Sequence, residues 1–185
     1  YRPKRRTRAT IAKEKGLEPL SLAMNLESPD DESFLTFADT FISEEKEVHT
    51  REEALQGAMD IIAESISDDA DVRGEIKHLI RQYGFIQTEA ADAEQKSVYE
   101  MYYEFKEALK SVANHRVLAL NRGEKEKFLK VSIFIDKVAP VEKLVSEFVV
   151  KKNSVPGGYK AMAIEDGYKR LLFPSLEREL RNDLT

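Results

Sequence analysis

The 185-residue chain has no cysteine and no tryptophan. Without thiols it has no disulfide, no thiolate nucleophile and no Cys-ligated zinc or iron–sulfur centre. Nowhere does it carry the roughly 20 consecutive apolar residues that a spanning helix needs, so no membrane partner is expected. A secretory leader pattern is also missing. These absences point to a cytoplasmic protein. Histidine is sparse, and none of His49, His78 and His115 has a second histidine or a carboxylate at catalytic zinc spacing. His78 reads as a helix-surface residue and His115 as a structural hydrogen-bonding residue or an anion contact.

Several motifs fail on inspection. Asp69-Ala-Asp71-Val-Arg73-Gly74 begins like a calcium loop, but the fifth position is Arg73 and the twelfth is Ile80. Gly157-Gly158 lacks the surroundings of a nucleotide-binding loop, and there is no nucleophile elbow. Neither a catalytic set, nor a metal site, nor a cofactor emerges, so the expectation is a non-enzyme.

Charge is where the sequence is most informative. The first 13 residues hold six basic side chains (Arg2, Lys4, Arg5, Arg6, Arg8 and Lys13) and no acid, which leaves 23 basic and 34 acidic residues in the remainder. The net −5 thus conceals a +6 terminus on a −11 body. Such a basic arm is suited to nucleic-acid phosphates, whose neutralisation releases counterions. Equally, it could fold onto the acidic body or remain solvated. The dense acids from Glu27 to Glu53 read as a solvated face. A second basic group, with Arg116 and Arg122, is diluted by Glu124 and Glu126. Neither group is interleaved with aromatics as a platform for stacked bases requires.

The apolar spacing predicts a mainly α fold: a multi-helix bundle with helical hairpins and a minor β element. Asp30 or Asp31 should cap a short helix with Phe34, Leu35, Ala38 and Phe41. Thr50 and Glu53 make a capping box before the stripe Leu55, Ala58, Met59, Ile62 and Ile66. Asp68 or Asp69 restarts the chain into Val72, Ile76, Leu79, Ile80 and Tyr83, stopped by Gly84, and the short connection predicts an antiparallel hairpin. Val98, Met101, Tyr102, Phe105 and Leu109 have helical spacing, with an aromatic stretch that can run extended. Asn114 should cap a helix through Val117, Leu118 and Leu120 ending at Gly123. Residues 128–135 read as a strand without a strong partner. Pro140 suits the first turn of a helix bearing Val141, Leu144, Val145 and Phe148. Residues 153–158 read as a loop, and a long last helix from Tyr159 should kink or restart at Pro174.

Three segments are recognisable as a set. Tyr1-Arg-Pro-Lys-Arg-Arg-Thr-Arg-Ala-Thr-Ile-Ala-Lys-Glu-Lys-Gly-Leu-Glu-Pro-Leu20, His115-Arg-Val-Leu-Ala-Leu-Asn-Arg-Gly-Glu-Lys-Glu126 and Leu172-Phe-Pro-Ser-Leu-Glu-Arg-Glu-Leu180 closely resemble the Tex family of bacterial transcription accessory proteins. Arg51-Glu-Glu-Ala-Leu-Gln-Gly-Ala-Met-Asp-Ile-Ile62 lies between them at family-like spacing. The resemblance implies that residues 1–185 are an N-terminal helical region of a longer protein. It divides into a basic connector and first helix (1–26), a central helical part (27–152), a loop (153–158) and a long helix (159–185). A YqgF-like domain, a helix-hairpin-helix segment and an S1 domain would follow outside the chain. It implies nucleic-acid binding mainly through S1, with weak, salt-sensitive contacts here from Arg2, Lys4, Arg5, Arg6, Arg8, Lys13, Arg116 and Arg122. Partners would be nucleic acid, the downstream domains of the same protein and the transcription machinery. The competing expectation is a docking module that touches no nucleic acid.

Overall fold

The structure is a computed structural model that describes residues 5–185. Arg2 and Lys4 of the basic motif lie outside the described residues. The chain divides into two compact units: residues up to Val72 with Val141–Phe173, and Arg73–Pro140 with Pro174–Thr185. The fold is mainly α with one small antiparallel sheet.

In the first unit α1 (Arg8–Glu14), α2 (Glu18–Asn25) and α3 (Asp31–Asp39) surround α4 (Arg51–Asp68), which packs most extensively on α8 (Val155–Gly167) and α1. The capping residues are where sequence chemistry puts them. Asp30 accepts from the Ser33 amide and Thr50 from the Glu53 amide. Glu53 reaches back to the amide of His49, one residue before the cap, so the box closes one position early. The stripe Leu55, Ala58, Met59, Ile62 and Ile66 is buried, with Leu17, Leu20, Met24, Phe34 and Ile164 completing the core. Close approach requires glycine at Gly167, where a Cβ would stand 2.8 Å from the Ala63 carbonyl oxygen of α4.

α5 (Ala70–Tyr83) begins under an Asp69 cap that accepts from the Val72 amide. The chain passes from one unit to the other at Val72, and α4 takes its main neighbours from α8, α1 and α2. α4 thus belongs to the first unit and α5 beyond Val72 to the second.

The second unit holds the sheet. β1 (Phe85–Ala90) is central, antiparallel to both β2 (Glu104–Ala108) and β3 (Leu129–Phe134). β3 is the strand expected from its alternation, and its missing partner is β1, which follows Gly84 at once. The expected helix over Val98 to Leu109 does not form. Glu100–Tyr102 is a 3-10 turn leading into β2, and Val98 and Met101 are exposed. Aromatic and β-branched side chains favour a pleated half-buried surface once strands are available to pair. α6 (Asn114–Lys125) starts one residue earlier than expected, with Ala113 as N-cap and no side-chain cap. It also runs past Gly123, whose bare α-carbon faces Leu129 and Tyr99. Leu118 is outside its buried face.

α7 (Val138–Phe148) carries Pro140 in its first turn as expected, and spans the second boundary between the units. The loop expected at 153–158 is shorter. Ser154 caps α8 through the Gly157 amide, and Pro156 and both glycines are helical. Proline lacks an N–H and is tolerated at a helix start, so Pro156 begins rather than breaks this helix. A π-helical turn, Tyr168–Leu172, leads into α9 (Phe173–Leu184). It lies immediately before Pro174, the predicted restart point. α9 closes one edge of the sheet: Glu177 accepts from the Ile133 amide and Arg181 donates to the Val131 carbonyl.

Candidate nucleic-acid interface

Thr7 caps α1 by accepting from the Thr10 amide, so Arg5 and Arg6 precede the helix and Arg8 opens it. Arg5, Arg8 and Lys13 are exposed and make no ion pair among the described residues, whereas Arg6 pairs with Glu14. Lys13 sits in the last turn, where the helix dipole favours a cation. Arg8 sits at the opposite end, where the dipole disfavours one. A local compensation comes from α4. Asp60 is buried, receives a hydrogen bond from Gln56 at 2.9 Å and lies 3.9 Å from Arg170. Burial pushes its carboxyl above the ordinary aspartate range, and Gln56, Arg170 and Arg8 oppose that rise. A cleft of about 460 Å³ between α1 and α4 brings Arg8, Lys15 and His49 to the same opening as Gln56 and Asp60. The basic segment is thus partly exposed cations without ion pairs among the described residues and partly support for a buried acid.

The second basic group divides by role. Arg116 on α6 donates to both carboxylate oxygens of Glu107 on β2 at 2.5 Å, and its guanidinium lies 5.9 Å from the Phe105 ring centre. The Glu107 hydrogen bond raises its pKa further. Both bonds come from the one nitrogen Nη1, and they hold helix to sheet. Arg122 is exposed. His115 is also exposed and has no hydrogen-bond partner among the described residues, so the structural reading of it fails.

Most acids between Glu27 and Glu53 are exposed, as expected of a solvated face, but several are tied to the fold. Asp39 takes a two-armed bond from Arg51, 2.7 Å on each arm, which lowers its pKa. Asp31 accepts from the Val155 amide at 2.8 Å. Glu27 is buried and accepts from the amides of Val150 at 2.9 Å and Lys151 at 2.5 Å. Opposite it, the buried Lys160 ammonium donates to the carbonyls of Asn25 at 2.8 Å and Phe148 at 2.5 Å, with Glu27 at 3.6 Å. Asn25 and Phe148 are the last residues of α2 and α7, whose terminal carbonyls have no intrahelical donor. One lysine therefore caps two helices, and one glutamate satisfies the loop that follows. Burial raises the Glu27 pKa, but the two amides and Lys160 outweigh it, and the net shift is downward. Glu27 holds this place at φ +53, a conformation rare for a side chain of its size. Nothing in the linear spacing links residues 27, 150 and 160. Likewise, the sheet gathers Phe85, Lys106 and Phe134 onto one exposed face from three separate segments.

Among the described residues, no three His, Cys, Asp or Glu side chains are grouped to hold a metal ion. No helix among them is long and apolar enough to cross a membrane.

Comparison with known proteins bears on all of this. A family model described as Tex central region-like matches residues 30–185. The YdcI protein of Bacillus subtilis is 47% identical over 190 residues, covering 100% of this chain and 26% of its own length. The transcriptional accessory protein Tex of Neisseria gonorrhoeae is 27% identical, covering 100% of this chain and 25% of its own. A human S1 RNA-binding domain-containing protein 1 is 28% identical over 97% of this chain and 19% of its own. The chain thus spans about a quarter or less of these relatives. The family model begins beyond the basic motif, which is matched through the full-length relatives instead. On the match over residues 30–185, the chain belongs to the Tex family of transcription accessory proteins.

Proposed function

We propose that this chain is a non-catalytic helical scaffold of a cytoplasmic, Tex-like transcription accessory protein, and that its basic N-terminal segment adds contacts to nucleic-acid phosphates. The observation that carries the reading is the exposure of Arg5, Arg8 and Lys13 without ion pairs among the described residues, while Asp39, Glu179 and Glu124 of the body pair with other cations. The relatives' names, a transcriptional accessory protein and an S1 RNA-binding domain protein, support the same direction.

A salt series tests it. Fluorescence anisotropy of labelled duplex DNA and single-stranded RNA should show affinity falling with salt, by about 0.9 log units per tenfold for each duplex phosphate neutralised. Charge reversal at Arg5, Arg6 and Arg8 should remove most of that slope. Glutamate at position 8 suits the first turn of α1 but removes the positive charge beside Asp60, so circular dichroism checks that the variant folds. Unchanged binding in this variant defeats the proposal. A second reading, docking to protein alone, is favoured by the exposed Leu22, Leu26 and Val150 of the first unit. It predicts no nucleic-acid binding at any salt.

A further inference from the structure

The register of the sheet fixes which side chains share its open face. Ala108, Phe85 and Phe134 form one row across the strands, Lys106, Gln87 and Ser132 the next, and Glu104, Glu89 and Lys130 the third. The opposite face carries the buried Ile86, Thr88, Leu129 and Ile133. A sheet pleat sends alternate residues to opposite sides, so the first set belongs to the side away from that core. Phe134 is 38% exposed and Lys106 is also exposed, while Phe85 is half-buried. The Lys106 ammonium lies over both rings, 4.6 Å from the centre of Phe85 and 4.1 Å from that of Phe134. No carboxylate is within ion-pair distance of it among the described residues.

From this arrangement we infer that the open sheet face is a stacking platform for single-stranded nucleic acid, with bases on Phe85 and Phe134 and a backbone phosphate on Lys106. Two directly opposed rings offer flat apolar area that any base can cover. An exposed lysine on those rings is held only by a weak cation–π contact, which a base and a phosphate together can replace. Charge at this end of the sheet is mixed but more basic than acidic, with exposed Asp136 beside two lysines. Exposed Lys110 and Lys137 follow the aromatic row by two and three residues, whereas Glu89 and Glu104 stand about 13 Å from that row along the strands and about 7 Å from the row of Lys106. The inference deepens the proposed function and rests on it for the class of ligand alone, because it uses none of the N-terminal basic residues.

The test is anisotropy with the 185-residue chain and two probes, an oligouridylate of about ten nucleotides and a duplex of similar length. Replacing Phe85 and Phe134 together by Leu keeps apolar volume but removes both rings. Single-strand binding should weaken by about fivefold or more for each ring, with duplex binding unchanged. The pair replaced by Tyr should bind as the native chain does, and circular dichroism checks that both variants fold. Lys106→Gln should flatten the single-strand salt dependence by about 0.7 log units per tenfold. If the Leu pair binds oligouridylate as tightly as the native chain, the platform is wrong, whatever charge reversal at Arg5, Arg6 and Arg8 does. Absence of single-strand binding at low salt also overturns it and leaves the row to a protein partner.

Discussion

Lys160→Met isolates the buried pair that joins α2, α7 and α8. Methionine keeps the apolar stem and removes the ammonium. The native ammonium is 7% exposed and its partner Glu27 4%. Its loss leaves the Asn25 and Phe148 carbonyls without their donor and Glu27 as an uncompensated buried charge. Breaking one side of a buried pair costs about 3–5 kcal/mol, a large share of the roughly 5–15 kcal/mol that holds a domain folded. Each kcal/mol lowers the melting temperature of a chain this size by about 2–4 °C, so a fall of roughly 6–20 °C is expected by calorimetry. The pH dependence has a defined sign. The folded pKa of Glu27 is lowered, so its contribution is complete above the unfolded value and disappears as pH falls through the folded one. Without Lys160 that loss moves to higher pH, and urea midpoints measured from pH 7 down to pH 3 should show it. A destabilisation below about 1 kcal/mol, the size of an exposed pair, would refute the reasoning.

Two further perturbations test the core of the first unit. Tyr168 is 2% exposed, and burial pushes its hydroxyl up to about 12. The unfolded tyrosine ionises from about pH 10 upward, so the native chain should lose about 1.4 kcal/mol per pH unit between the two values. Tyr168→Phe should abolish that increment in urea unfolding at pH 11 relative to pH 8, and an equal loss in both proteins would contradict it. Gly158→Ala and Gly167→Ala lie in one helix but should have opposite signs. A Cβ at Gly158 meets nothing within 4 Å and should gain up to about 1 kcal/mol in helix propensity. At Gly167 it meets the Ala63 backbone and should cost about 1–3 kcal/mol net. Equal melting shifts for the two would mean that α4 and α8 can separate without penalty.

Much of the local structure was legible because it depends on neighbours in the chain. Asp30, Thr50, Asp69 and Ser154 satisfy amides three residues ahead, and that geometry is set by the helix start itself. Ser154 could have shortened the predicted loop, since serine followed by Val-Pro is a helix start as readily as a turn. β1 was also within reach. Phe85, Gln87 and Glu89 alternate with Ile86, Thr88 and Ala90, but six residues after a long amphipathic helix give a weak signal until β3 is placed beside them. For the candidate interface, composition separated the basic segment from the acidic body. It could not separate Arg116, fixed to Glu107, from Arg122, which is exposed, because arginine recognises carboxylate and phosphate with the same fork.

By itself the sequence determined the helical class, most caps, the β3 strand, the charge division and the family resemblance. All of these depend on residue type and short-range spacing. Only the tertiary structure decided which acids are buried, which cations are engaged and which aromatics meet. Glu27 and Lys160 are 133 positions apart in the chain, and Phe85, Lys106 and Phe134 come from three strands. Their encounters depend on packing and strand register, which the whole chain must settle before any one pair can form.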